Sequence, residues 1–409
     1  MILNRTLGLM CLLFLGSIPT AQALVQDIEA SFRPDPTSPQ KNEFKNTTPE
    51  SGICPWHIPS QCKAMGIFTI RTNALNFHAK TPILANHTDP RQGAMWKVPS
   101  EWRDVPVMHE ETGESSTVQM RIAGIGHRWD IRPHVEAWAQ PGVAWQSMWR
   151  NAPAPCTGVN YLAAGTTLVL FFWIVPENAG VCNRIPSMDI TAFWYSTTEY
   201  AYALKTPNPL KMASGKYTGT ITYSVGPGKD FDMGDVMIPT DEVLTFNFTL
   251  DVDHILKVDI PPGGNTVELI PQGGWQAWLN QGRKPAKLFR DQTVNLYASS
   301  RFKMQLECQY AEGDSACGVK DSVSGHAVPV NVSVSMPYGI TDALGRPVNR
   351  LPLRRDGVGT ELFQPTQYVD RKPSTLHFEI PRDAVEQMLQ PGAGRTYSGS
   401  VTVIWDSQL

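Results

Sequence analysis

Hydrophobic and polar residues alternate without a break along LTFNFTLDV, residues 244–252, and the alternation resumes at LKVDI, residues 256–260. Leu244, Phe246, Phe248, Leu250, Val252, Leu256, Val258 and Ile260 share one parity. Thr245, Asn247, Thr249, Asp251, Asp253, Lys257 and Asp259 share the other, and only His254 and Ile255 break step. Successive side chains of a strand point to opposite faces, so the run predicts a half-buried antiparallel strand. Its length far exceeds the usual strand of about 5–6 residues, so it is expected to bend or change sheets partway.

The same pattern returns in FKMQLECQY (302–310), VPVNVSVSM (328–336), LHFEI (376–380) and YSGSVTVIW (397–405). Turn clusters such as PPGGN, EGDSACG and DALGRP separate these runs, and only PRDAVEQML (381–389) reads as a helix. Many short alternating strands between frequent turns predict an all-β chain of sandwich type. The composition agrees, since 33 prolines and 32 glycines suit turns better than helices. LVLFFWIV (168–175) is too short to span a membrane and reads as a buried strand. The glycine- and aspartate-rich GPGKDFDMGD predicts a linker at 226–236, dividing an N-terminal domain (24–225) from a C-terminal one (237–409).

One phrase occurs twice. KYTGTITYSVG (216–226) and TYSGSVTVIWD (396–406) align Tyr217 with Tyr397, Gly219 with Gly399 and Thr222 with Thr402. A strand-like segment precedes each copy, MDITAFWY (188–195) and LHFEI (376–380). Each half therefore reads as a sandwich that closes on the same kind of strand.

The first 23 residues carry Arg5, an apolar Leu7–Gly16 stretch and Ala21-Gln22-Ala23, the pattern of a cleaved secretory signal. Export sends the chain through an oxidising compartment, and removal of Cys11 leaves Cys54, Cys62, Cys156, Cys182, Cys308 and Cys317. Neighbour spacing predicts the disulfides 54–62, 156–182 and 308–317. No zinc-type spacing accompanies them, and neither a metal nor a cofactor is expected. A net charge of −3 gives no reason to expect a nucleic-acid partner.

Catalytic motifs for phosphate cradling, dinucleotide binding, serine nucleophiles or zinc hydrolysis are missing from any supporting context. Asp251, Asp253 and His254 do not share a strand face, so a solvated face is expected there rather than a metal cluster. The chemistry-bearing stretch is GHRWDIRPHVEAWAQPGVAWQSMWRN (126–151). It gathers Trp129, Trp138, Trp145 and Trp149 with Arg128, Arg132 and Arg150. Aromatic faces stack on sugar rings and arginine forks grip carboxylates, so these seven are the receptor-binding candidates. At least half of the tryptophans are expected in the core, which makes the arginines the better surface candidates.

The signal-like leader, the cystine-bearing first half and the ending TYSGSVTVIWDSQL together resemble chaperone–usher fimbrial proteins, in particular two-domain tip adhesins and minor pilins of Gram-negative bacteria. The resemblance covers about Leu244 to Leu409 as the pilin domain; the first half corresponds by position only. It implies two immunoglobulin-like sandwiches in tandem, the second lacking its final strand. A periplasmic chaperone, an outer-membrane usher and a neighbouring pilin subunit are then the implied assembly partners, and a strand donated by another molecule completes the fold. Tyr397, Gly399, Val401, Val403 and Trp405 would border the receiving groove. The implied function is cell adhesion at the surface through a host receptor such as a glycan, with no enzymatic activity. An adaptor pilin without a receptor, or a secreted glycan-acting enzyme, is the alternative. LVQDIEASFRP (24–34) could serve as a donor arm but is expected to form the first strand of the N-terminal domain.

Overall fold

Alternation becomes pairing at Val243–Val252, whose residues are buried at every second position. In this computed structural model, which describes residues 24–355, 362–390 and 395–407, the strand is an interior one. Gly215–Ser224 pairs antiparallel along one side, with Tyr217 opposite Leu250 and Tyr223 opposite Leu244. Leu24–Phe32 runs parallel along the other, with Ile28 opposite Phe248. The expected signal peptide and Cys11 lie outside the described residues. LVQDIEASF is thus a strand of the first sheet.

The first assembly is a 12-stranded sheet path with a long antiparallel pair at its centre, Ser115–Arg132 against Ala192–Lys205. Leu168–Ile174 pairs along Ser115–Arg132 and buries Val169, Phe172 and Trp173, so the apolar run is a core strand. The second assembly is a sandwich. An eight-stranded sheet has the main path Leu256–Asp259, Leu288–Ala298, Val369–Ile380, Ala327–Ser335, Ala316–Asp321, Tyr310–Glu312, with Leu351–Pro352 and Tyr397–Ser398 pairing off it. A four-stranded sheet runs Ile340–Thr341, Leu362–Pro365, Phe302–Cys308, Val401–Ser407. Val294, Val330 and Val332 of the larger sheet share one buried cluster with Phe302, Met304 and Leu306 of the smaller. The chain is all-β, with Arg382–Met388 the helix expected from PRDAVEQML.

The alternating run is shared between the two assemblies. Val243–Val252 belongs to the first sheet and Leu256–Asp259 to the second, so the change of sheet falls at Asp253–Ile255. No sheet among the described residues mixes strands from the two sides of that step. The linker expected at 226–236 is corrected accordingly. Phe231 and Met233 are fully buried in the first core, and Asp232 is 1% exposed with its carboxylate 2.8 Å from Arg91 Nη1. Its glycines serve turns rather than a spacer: Gly228 and Gly234 hold φ of 75° and 93°, which a side chain rarely adopts.

The cysteines pair as neighbours: Cys54–Cys62, Cys156–Cys182 and Cys308–Cys317, with Cα separations of 5.6, 5.9 and 5.3 Å. The last ties the smaller sheet of the sandwich to the larger. A closed loop of this size stabilises by about 2–4 kcal/mol, chiefly by restricting the unfolded chain.

Candidate functional site

The two copies of the repeated phrase share their local physics and differ in their neighbours. In each, the glycine allows a close backbone approach. A Cβ on Gly219 would lie 2.3 Å from the Pro106 carbonyl oxygen, and one on Gly399 would lie 2.9 Å from that of Gly318. In each, the tyrosine hydroxyl is anchored. Tyr217 accepts from the Ala213 amide at 2.9 Å, and Tyr397 meets His326 Nδ1 at 2.8 Å. The first copy is flanked on both sides, by Arg103–His109 and by Val243–Val252, and Tyr217 and Tyr223 are fully buried.

Among the described residues, the Val401–Ser407 part of the second copy has a partner on one side only. Val401–Ser407 pairs with Phe302–Cys308, setting Trp405 opposite Met304 and Val403 opposite Leu306, and is the last strand of its sheet. Val401, Val403 and Trp405 reach the core cluster but stay half-buried. Just before them, Tyr397–Ser398 crosses to the larger sheet and pairs with Lys320 and Asp321. Asp321 accepts from the Thr396 amide, and its hydrogen bonds from Ser324 and Thr396 hold its carboxyl below the ordinary range.

Along this terminal strand runs an apolar cleft of about 450 Å³. Val258 and Ile260 at the edge of the larger sheet also line it, and Val294, Val330 and Leu376 lie along it as well. The cleft continues past Val267, Leu269 and Gly399 into a second chamber of about 670 Å³, lined by Trp275, Leu288 and Met388. Gly399, Val401, Val403 and Trp405 line the first cleft, and Tyr397 lines the second chamber. The walls of the cleft carry apolar side chains and its rim offers the open edge of a strand, which can pair with an extended chain.

The receptor candidates divide by side-chain type. Trp129 and Trp149 are fully buried, and Trp138 and Trp145 are 4% and 5% exposed. Trp149 stacks on Trp173 at 5.6 Å and meets Trp138 and Trp96 edge-on at 4.9 and 5.5 Å. All four tryptophans are core, a correction to their reading as ligand contacts. Strand parity explains Trp129, which points inward with Ile131 while Arg128 and Arg132 point outward. Arg128 pairs with Asp130 at 2.9 Å, Arg132 lies over the Trp194 ring at 5.8 Å, and exposed Arg150 ends the short helix Ser147–Arg150. The outer face of this strand thus carries Arg128, Asp130 and Arg132 over an aromatic core.

Sequence reasoning missed two buried polar groups. Glu199 is 4% exposed, receives Arg71 at 2.7 Å and accepts from the Ile53 amide; burial pushes its pKa up against the pull of Arg71. Next to it, His127 is fully enclosed and its pKa is pulled down to about 3 by desolvation, so it is neutral at physiological pH. A lone glutamate within the aromatic run AFWYSTTEYAYALK was the available signal. His254 is half-buried and hydrogen-bonded on both ring nitrogens rather than part of a solvated face, and no group of metal-ligating side chains occurs among the described residues.

Neither a family model nor a curated protein matches this chain in sequence. Solved structures similar to it include a chaperone–tip adhesin complex of CFA/I fimbriae, at 9% identity and a TM-score of 0.26, covering 95% of this chain and 97% of that one. The adhesive subunit CfaE of enterotoxigenic Escherichia coli matches at 9% identity and 0.26, covering 94% and 95%. The CsuC–CsuE chaperone–tip subunit complex of Acinetobacter baumannii Csu pili matches at 8% and 0.21, covering 94% and 98%. Superpositions this loose carry no functional argument, which rests instead on the groove and the strand faces. No helix among the described residues is long and apolar enough to cross a membrane.

Proposed function

We propose that the chain is a fimbrial tip adhesin or minor subunit, exported through the periplasm and displayed at the cell surface. One observation carries this reading: among the described residues the terminal strand is paired on one side only, and it lines an apolar groove with half-buried Val401, Val403 and Trp405. An open apolar edge beside an apolar channel is an aggregation hazard unless another chain fills it. A donated strand would supply main-chain hydrogen bonds to that edge and alternate side chains to the channel. A periplasmic chaperone, and then a neighbouring subunit at the usher, are the partners of that chemistry. Co-expression with the cognate chaperone is expected to yield a one-to-one complex. Chaperone-independent accumulation of soluble monomer would overturn the reading.

An adaptor pilin would need its own donor arm. Leu24–Phe32 is engaged along its full length with Val243–Val252, which favours the tip position. The first assembly is then the receptor-binding part, with the outer arginines as its ligand contacts and a glycan bearing acidic groups as its ligand class. Replacing Arg128, Arg132 and Arg150 one at a time with alanine is expected to weaken cell or glycan-array binding about tenfold for each lost charge contact; the melting temperature stays unchanged for Arg132 and Arg150 and falls for Arg128, whose loss leaves buried Asp130 without its ion pair. Full binding by all three variants would move the receptor site elsewhere.

A further inference from the structure

We propose that His254 is a pH-sensitive pin at the joint between the two assemblies, holding the joint while neutral and loosening it on taking a proton. His254 stands where the shared run leaves the first sheet and enters the second. Its Nε2 lies 3.0 Å from the Met212 carbonyl oxygen in the first assembly, so Nε2 carries a hydrogen and donates it. Its Nδ1 is then the acceptor, and the Ser299 hydroxyl of the second assembly donates to it at 3.1 Å. Ser299 is fully buried and also accepts from the Ile255 amide at 2.9 Å. The ring packs edge-on against Phe32, with centroids 5.5 Å apart.

This network is saturated only with a neutral ring. A proton on Nδ1 would face the Ser299 oxygen and turn the hydroxyl hydrogen away from its acceptor, on the fully buried side of a half-buried ring. Burial is the main reason the pKa is held below its ordinary 6.5; the Met212 carbonyl and Asp253 pull it up, and Arg301 pushes it further down. Asp253 is itself shared with Arg33 at 3.6 Å and Arg301 with Glu114 at 3.9 Å, while Lys211 precedes Met212 in the loop from the first assembly. A folded pKa below the unfolded one gives stability that is complete above about 6.5 and is lost as pH falls through the folded value. The Tyr368 amide also donates to the Pro39 carbonyl across the joint at 3.1 Å, a contact that holds no titrating group.

Hydrogen exchange of the full chain tests this at about pH 7.5 and about pH 5, corrected for intrinsic rates. The amides of Ile255 and Ser299, each bonded to the other residue, are expected to lose protection at the lower pH. His254→Gln keeps a donor for Met212 and an acceptor for Ser299 without titrating, so its protection is expected to be equal at both pH values. Unchanged protection in the wild type, or the same loss in His254→Gln, would overturn the proposal. Should the variant fail to fold, the His254 ring resonance of the wild type decides: a midpoint at or above about 6.5 excludes the pin.

Discussion

A strand of alternating apolar residues, fused through a short turn beyond Leu409, is expected to raise the melting temperature of the second assembly by about 6–12 °C, the equivalent of about 3 kcal/mol in a body of this size. The gain comes from two sources. The open edge of Val401–Ser407 receives main-chain hydrogen bonds, and the groove receives side chains that would otherwise face water. Each aliphatic side chain seated there contributes about 1.5–3 kcal/mol, most of which offsets the ordering of the added strand. The control is the same peptide slipped by one residue. Side chains alternate along a strand, so the slip turns every apolar group outward and should abolish the gain. Equal stabilisation by both peptides would mean that the groove does not read side chains, and no stabilisation by either would mean that the sandwich is already complete.

Trp149→Ala is expected to cost the first assembly about 3–5 kcal/mol in chemical denaturation. The side chain is fully buried, and the substitution removes the stack on Trp173 together with the edge contacts to Trp96 and Trp138. Aromatic pairs of this geometry add about 0.5–1.5 kcal/mol each beyond burial, so little of the loss can be recovered by relaxation. The neighbouring Arg150→Ala is expected to stay within about 0.5 kcal/mol of the wild type, because the arginine is exposed. A Trp149→Ala protein as stable as the wild type would return the tryptophans to candidacy as ligand contacts.

The paired strands were legible where a local rule decides them. Alternation marked Val243–Val252 and Val401–Ser407, and loop length marked the three disulfides. The boundary was misplaced because glycine and aspartate are shared by linkers and by tight buried turns, and only the fold shows that Phe231 and Asp232 are enclosed. The better signal was the phase error at His254 and Ile255, the two residues that break an otherwise continuous parity. Tryptophan identity could not separate core from surface, since the ring suits both. Parity could have done so for Trp129, which alternates with Arg128 and Asp130. The Arg71–Glu199 pair spans 128 positions in sequence, and no local pattern announces a partner so distant.

The shared run also decides where the chain can be cut. A fragment ending at residue 225, the apparent border by composition, would leave Val243–Val252 behind and strip both Gly215–Ser224 and Leu24–Phe32 of the strand that lies between them. The sockets of Phe246 and Phe248 would open to water, and the N-terminal piece would itself become a body in search of a strand. Its complement would begin with an orphan strand rich in phenylalanine and leucine, prone to stick to any exposed edge. Two sticky halves from such a cut would imitate donor-strand behaviour for reasons unrelated to assembly. Scissors placed after Val252 separate two intact sheets.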